Sequence, residues 1–318
     1  MASRNFFFRR KRRKRKLRPE PCIFKGQRSL NLEVYNRKEK TIYTDVQYGG
    51  GFLKRLYGTK AGRFVMPLVL SRAVSRIGGL YTDTFLSRAH IRSFIRKNKI
   101  DMQDYEDRKF RSLNDFFTRK VKEGKRPLDP AGNALVSPAD SKLRIYPITE
   151  DSCFEIKGNT YTVRSLVGEK TEISGYQGGM CLVFRLSVDD YHRYCYPDSG
   201  KTAFRLSIKG KLHTVCDISD KYKVFQENSR FVSVLDTEHF GEIIMIEVGA
   251  LMVGRIVDHG AEVFSRGQEK GFFKLGGSTI VLLIGKDKLI LDDDIREYLK
   301  KGMEVKLRYG ERVGVMPQ

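Results

Sequence analysis

The feature that most limits the fold is a change of pattern at Pro127. Upstream, from about residue 50 to residue 120, apolar residues recur at helical spacing: Phe64, Val65, Leu68, Val69, Val74 and Ile77 interleave with Arg63, Arg72 and Arg76. Further helical segments are expected over residues 84–97 and 112–119. Downstream, Gly and Pro become frequent and short β-type runs appear at 179–188, 203–208, 231–235, 243–248, 251–257 and 279–284. A short helix over 295–301 and a last strand over 304–309 complete the pattern. The predicted architecture is α+β: a helical region, 49–126, packed on one side of a β-rich domain, 127–318.

The net charge of +22 over 318 residues calls for a polyanionic partner, either nucleic acid or the anionic face of a membrane. The first 18 residues hold ten basic side chains and no acidic one, so residues 1–48 are expected to form a basic, largely disordered tail. Such a tail can aid solubility, reach for nucleic acid, or tether the chain to anionic lipid at roughly 1 kcal/mol per basic residue near the surface. The basic amphipathic pattern of 49–126 suits a membrane surface, although a core helix with a solvated basic face has the same periodicity. No stretch reaches the roughly 18 consecutive apolar residues of a spanning helix, and the run 280–284 stops at Gly285. Any membrane contact is therefore expected from the surface. Phe6, Phe7 and Phe8 are too few for the apolar part of a signal peptide. Cys22, Cys153, Cys181, Cys195 and Cys216 show neither disulfide-framework nor zinc-site spacing, so no metal is expected and a reducing compartment is favoured.

The stretch richest in chemistry is Leu275-Gly276-Gly277-Ser278-Thr279, running straight into an apolar strand. Two glycines let the backbone before Ser278 adopt geometry that other residues resist, which exposes the Gly277 carbonyl to the neighbouring hydroxyl. Alone, Gly-Gly-Ser before a strand is more often a simple turn.

The segment from Gly271 to Thr279 closely resembles the processing site of the phosphatidylserine decarboxylases, and other segments follow that family in order. Leu113-Asn114-Asp115-Phe116-Phe117-Thr118-Arg119 resembles its helical-region signature, and Ser137-Pro138-Ala139-Asp140 the motif with its protease aspartate. Tyr191-His192-Arg193-Tyr194 resembles its active-site histidine segment. Val248-Gly249-Ala250-Leu251-Met252-Val253-Gly254 resembles its glycine-rich strand pair, and Arg266-Gly267-Gln268-Glu269-Lys270-Gly271-Phe272-Phe273 the approach to the cut. The likeness spans roughly residues 50–310. It implies a proenzyme that cuts itself between Gly277 and Ser278 and turns Ser278 into a covalent pyruvoyl group. Two associated chains, 1–277 and 278–318, would result. The ketone would then form a Schiff base with phosphatidylserine and release phosphatidylethanolamine and CO2.

Serine needs a base, and a histidine oriented by a carboxylate is the usual source. Ser278, His192 and Asp140 can fill these roles. On residue type alone, Asp140 could equally be a turn residue after Pro138, and His192 a surface histidine beside Asp189 and Asp190. One departure from the family stands out: many members carry a second histidine where this chain has Cys195, and a thiol is a poor base toward serine. His192 then serves both steps, or His213, His239 or His259 enters the site, or Cys195 takes part itself.

A lipid substrate gives the basic tail and helices a purpose. The expected location is the periphery of a membrane, on its cytoplasmic face. Two alternatives remain at this level. One is a pyruvoyl-dependent decarboxylase of another amino acid or amino-lipid; the other is a basic nucleic-acid-binding protein. No RNP-like motif, zinc-finger spacing or recognition helix supports the latter, so no nucleic-acid partner is expected.

Overall fold

The computed structural model of the protein describes residues 31–46, 59, 72–149, 153–156, 159–168, 171–209, 229–249, 256–275 and 278–317. The basic run within residues 1–18, the amphipathic stretch through Phe64 and Leu68, His213, the 250–254 part of the glycine-rich pair, and Gly276 and Gly277 lie outside the described residues.

Strand Ser278–Ile284 is the organising element. All seven of its residues are buried, a pattern expected of a strand covered on both faces. Its alternate side chains enter two different cores. Ile280, Leu282 and Ile284 join Phe184, Met245 and Leu143 on one face, while Val281 and Leu283 join Val183, Ile244 and Ile246 on the other. Met180–Leu186 and Gly241–Val248 flank it as antiparallel neighbours in a ten-stranded sheet. Beyond Gly241–Val248 lie Arg230–Thr237, Gly200–Ile208 and the short Val263–Phe264; beyond Met180–Leu186 lie Ser141–Pro147, Glu304–Leu307, Asn31–Asn36 and Thr41–Val46.

The last two strands correct the expectation for the N-terminal tail. Residues 31–46, read as part of a disordered segment, form an antiparallel hairpin whose first strand pairs in parallel with Glu304–Leu307. Val34 and Tyr35 are buried there, and Tyr35 stacks on Tyr298 with ring centroids 3.6 Å apart. Leu32, Val34 and Asn36 alternate with Glu33 and Tyr35, but two short runs with so many polar residues give little signal until a partner strand is present.

A three-stranded sheet, Ile256–Asp258, Glu269–Phe273 and Arg193–Cys195, covers one face of the large sheet through Tyr194 and Phe273. Gly271 sits where the chains come closest. A Cβ there would meet the Val257 carbonyl at 2.1 Å and the Tyr194 hydroxyl at 2.7 Å, so only glycine fits.

The helices among the described residues are short: Arg72–Asp83, a 3-10 helix Phe85–His90, Ile91–Lys97 and Leu113–Phe117 in the N-terminal part, Val163–Val167 and a 3-10 turn Ser174–Tyr176 between strands, and Asp293–Lys300 near the C-terminus. Among the described residues the protein is thus mixed α+β and rich in strands. Ser112 starts Leu113–Phe117 by accepting the Asp115 amide at 3.1 Å. Ile91, Ile100, Tyr105, Leu113 and Phe116 bury their side chains together with Tyr191, and Leu275 packs against this cluster. The helical segments therefore lie against both the His192 segment and the approach to Ser278. No helix among the described residues is long and apolar enough to cross a membrane.

Candidate active site

Ser278 opens its strand opposite Leu186 and is fully buried. Its hydroxyl lies 3.5 Å from Nδ1 of His192, which is also fully buried. The other ring nitrogen, Nε2, lies 2.9 Å from the Ser187 carbonyl oxygen. A carbonyl only accepts, so Nε2 carries the hydrogen and a neutral ring presents the Nδ1 lone pair toward Ser278. Phe117 stacks on the imidazole at 4.0 Å between centroids and an interplanar angle of 30°. The His192 carbonyl accepts the Phe273 amide at 3.0 Å, which ties the base to the strand leading to the cut.

The helix Leu113–Phe117 serves this geometry twice. Phe117 backs the imidazole, while Asn114 Oδ1 accepts the amide of Leu275 at 2.8 Å and Asn114 Nδ2 donates to Thr82 Oγ1 at 2.8 Å. Lys274 pairs with Asp83 at 3.0 Å on the same segment. In the sequence this helix stands out only as a family signature, with no role for Asn114 or Phe117.

Asp140 occupies a neighbouring polar cluster. Its carboxylate receives Arg126 Nε at 2.9 Å and Nη2 at 2.7 Å, and the Tyr309 amide at 2.8 Å. Arg126 is shared with Asp104 at 2.8 Å. Cys195 lies close by: its amide donates to the Pro138 carbonyl at 2.9 Å, and its thiol lies 3.8 Å from the Ser137 carbonyl. Burial pushes that thiol up to about 12, so it stays protonated at neutral pH.

The remaining described histidines have other partners. His90 Nε2 lies 2.9 Å from the Tyr81 hydroxyl, His239 Nδ1 pairs with Asp198 at 3.0 Å, and His259 Nε2 with Glu269 at 2.8 Å. The structure therefore brings Ser278 and His192 together and seats Asp140 and Cys195 beside Tyr309.

A second feature lies on the helical segments. Ile77, Leu80, Phe85 and Leu86 are between 58% and 71% exposed. Phe85 and Leu86 border a groove of about 590 Å³ that is also lined by Arg88, Arg92, Lys109 and Phe110. Large apolar side chains held in water beside basic ones are the composition of an interfacial surface.

Comparison with known proteins shows the family. A model of the phosphatidylserine decarboxylase family matches residues 113–315. The chain is 47% identical over 287 residues to "Phosphatidylserine decarboxylase proenzyme 2" of Clostridium acetobutylicum, covering 90% of this chain and 99% of that protein. It is 38% identical over 291 residues to "Phosphatidylserine decarboxylase proenzyme" of Ruminiclostridium cellulolyticum, covering 89% and 97%. A similar protein from Clostridium botulinum is 37% identical over 291 residues. With the signature helix, the buried serine and histidine, and this extent of similarity together, the chain belongs to the phosphatidylserine decarboxylase family.

Proposed function

We propose that the chain is a proenzyme in which His192 activates Ser278 to cut the Gly277–Ser278 bond, and that the mature form decarboxylates phosphatidylserine as a pyruvoyl-dependent carboxy-lyase. Decarboxylation of phosphatidylserine is the activity of the family; the assignment of residues is the proposal. The observation that carries it is the approach of Ser278 Oγ to a histidine whose other nitrogen is already committed to a carbonyl.

In this reading His192 Nδ1 takes the Ser278 hydroxyl proton as Oγ attacks the Gly277 carbonyl. The C–N bond breaks and the peptide becomes an ester, with the proton passing to the released amine. Loss of the Cα proton of residue 278 then expels the Gly277 carboxylate by β-elimination. The resulting enamine tautomerises and takes up water, which leaves a pyruvoyl group and ammonia. That group supplies an electron sink for decarboxylation. The buried start of strand Ser278–Ile284 fits it, because position 278 pairs with Leu186 and the residues that follow are held by strands on both sides.

The two chains, 1–277 and 278–318, stay together in this account. Strand Glu269–Phe273 is held by Arg193–Cys195 and Ile256–Asp258, while Ser278–Ile284 is held in the other sheet. Asp140 holds Arg126 and the Tyr309 amide in a cluster beside Cys195. Ile77, Leu80, Phe85 and Leu86 enter a membrane interface from the side, and the basic groove and N-terminal tail meet anionic headgroups on the cytoplasmic face. Cys181 and Cys195, both unbridged, suit that reducing side.

The test is electrophoresis of purified Ser278→Ala beside the natural protein. The variant remains one uncut, inactive chain; two chains from it would remove Ser278 from the mechanism.

A further inference from the structure

The carbonyl that fixes the His192 tautomer belongs to a turn, and the turn is gripped by a buried ion pair. Asp190 Oδ2 accepts the Ser187 amide at 2.7 Å, and the Asp190 amide donates back to the Ser187 carbonyl at 3.0 Å. Lys142, from strand Ser141–Pro147, donates to Ser187 Oγ at 2.8 Å and lies 3.4 Å from Asp190 Oδ2. The side chains of Lys142 and Asp190 are only 2% and 3% exposed. Ser187 is thus held at its amide, its hydroxyl and its carbonyl, and the carbonyl is the atom that meets His192.

From these contacts we infer that Asp190 and Lys142 are positioning residues for self-cleavage, holding Ser187 so that its carbonyl keeps His192 Nδ1 unprotonated and aimed at Ser278. This rests on the assignment of His192 as base. It places the carboxylate that orients the histidine two residues before it in the chain, acting through backbone, and leaves Asp140 to its own cluster with Arg126.

Two buried charges are costly unless each satisfies the other, which makes this an expensive way to hold an ordinary turn. Burial opposes ionisation of Asp190, but Lys142 and then Lys306 outweigh it and hold the carboxyl below its usual range. Burial likewise opposes the Lys142 ammonium, and Asp190, together with Asp189 and Asp45, outweighs it.

Other charged groups face the pair from the surrounding strands. Asp45 lies 4.0 Å from Lys142, and Tyr43 stands on the same strand, Thr41–Val46. Arg185 pairs with Asp45 at 2.6 Å and with Glu304. Asp189 adjoins the turn, and Arg119 Nη2 donates to the Asp189 and Asp190 carbonyls at 3.4 Å. Arg185 Nη1 also donates to Ser187 Oγ, at 3.3 Å, but it pairs with Asp45 and Glu304, whereas Asp190 and Lys142 pair with each other while bonding to Ser187.

The two positions have opposite electrostatic effects on the imidazole. A carboxylate nearby favours the protonated ring and an ammonium disfavours it. Self-cleavage needs the neutral ring, so its rate falls on the acid side as His192 takes up a proton.

The experiment is cell-free synthesis of the full chain, with the ratio of uncut to cut protein followed over time at a series of pH values from about 5 to about 9. Asp190→Asn should slow cleavage about tenfold, the weight of one hydrogen bond to a charged group, and move the acid limb to lower pH. Lys142→Met should move that limb to higher pH, and the double variant should fall between them. Slower cleavage with the acid limb fixed in place, as loose packing alone would give, overturns the inference, and so does unchanged cleavage of Asp190→Asn. The isosteric Asp190→Asn decides alone if Lys142→Met does not fold. An uncut natural protein would instead refute the underlying assignment.

Discussion

Replacing Phe85 and Leu86 together by serine perturbs the proposed membrane surface without touching the Ser278–His192 pair. The two side chains are 70% and 71% exposed, so most of their apolar area is open to an interface. Full burial of such a side chain contributes about 1.5–3 kcal/mol, and the exposed share of each scales this to about 1–2 kcal/mol. Loss of both then costs about 2–4 kcal/mol, or roughly 30- to 700-fold in vesicle affinity. The assay is co-sedimentation of purified protein with vesicles containing anionic phospholipid, at low and high salt. Because the arginines of the groove are kept, the weakening should persist at high salt, where electrostatic attraction is screened. Self-cleavage should be unchanged. Equal affinity of variant and natural protein at both salt concentrations would refute the reasoning and leave the charges as the only attraction.

Two more outcomes follow from buried groups. Cys195→Ser should still mature, because a thiol pushed up to about 12 is no base at neutral pH; a folded, uncut Cys195→Ser in a time course would show that the thiol takes part. Glu247 is fully buried, and burial, only partly offset by Lys270 at 2.8 Å, pushes its carboxyl from 4.5 up to about 7. The folded chain therefore holds a proton there that the unfolded chain has lost, and stability falls as pH rises from about 4.5 to about 7. In urea unfolding of the uncut Ser278→Ala protein, adding Glu247→Gln should flatten that slope; an unchanged slope would place its origin elsewhere.

What the sequence revealed, and what it hid, follow from how local each signal is. The strand was legible as 279–284, one residue short of its observed start, because a run of apolar residues bounded by glycines fits a strand covered on both faces. Its place between Met180–Leu186 and Gly241–Val248 was not, since strand order depends on partners far along the chain. The hairpin 31–46 was hidden by its polar residues and by the basic segment before it. In the site, Ser278 and His192 were readable through the resemblance to the family, since on residue type alone the first fits a simple turn and the second a surface histidine. The group on His192 Nε2 was not, because it is a backbone carbonyl and any residue could supply one. Asp190 was visible only as an acidic neighbour of His192, and nothing in the sequence places Lys142 opposite it.

The central claim is that His192 activates Ser278 to divide the chain, and the most direct measurement is intact mass of denatured protein for the natural sequence and His192→Ala. The account predicts two species from the natural protein, residues 1–277 and a 278–318 chain that begins with pyruvoyl. It predicts one full-length species from folded His192→Ala. A full-length natural chain, or normal maturation of His192→Ala, would contradict it.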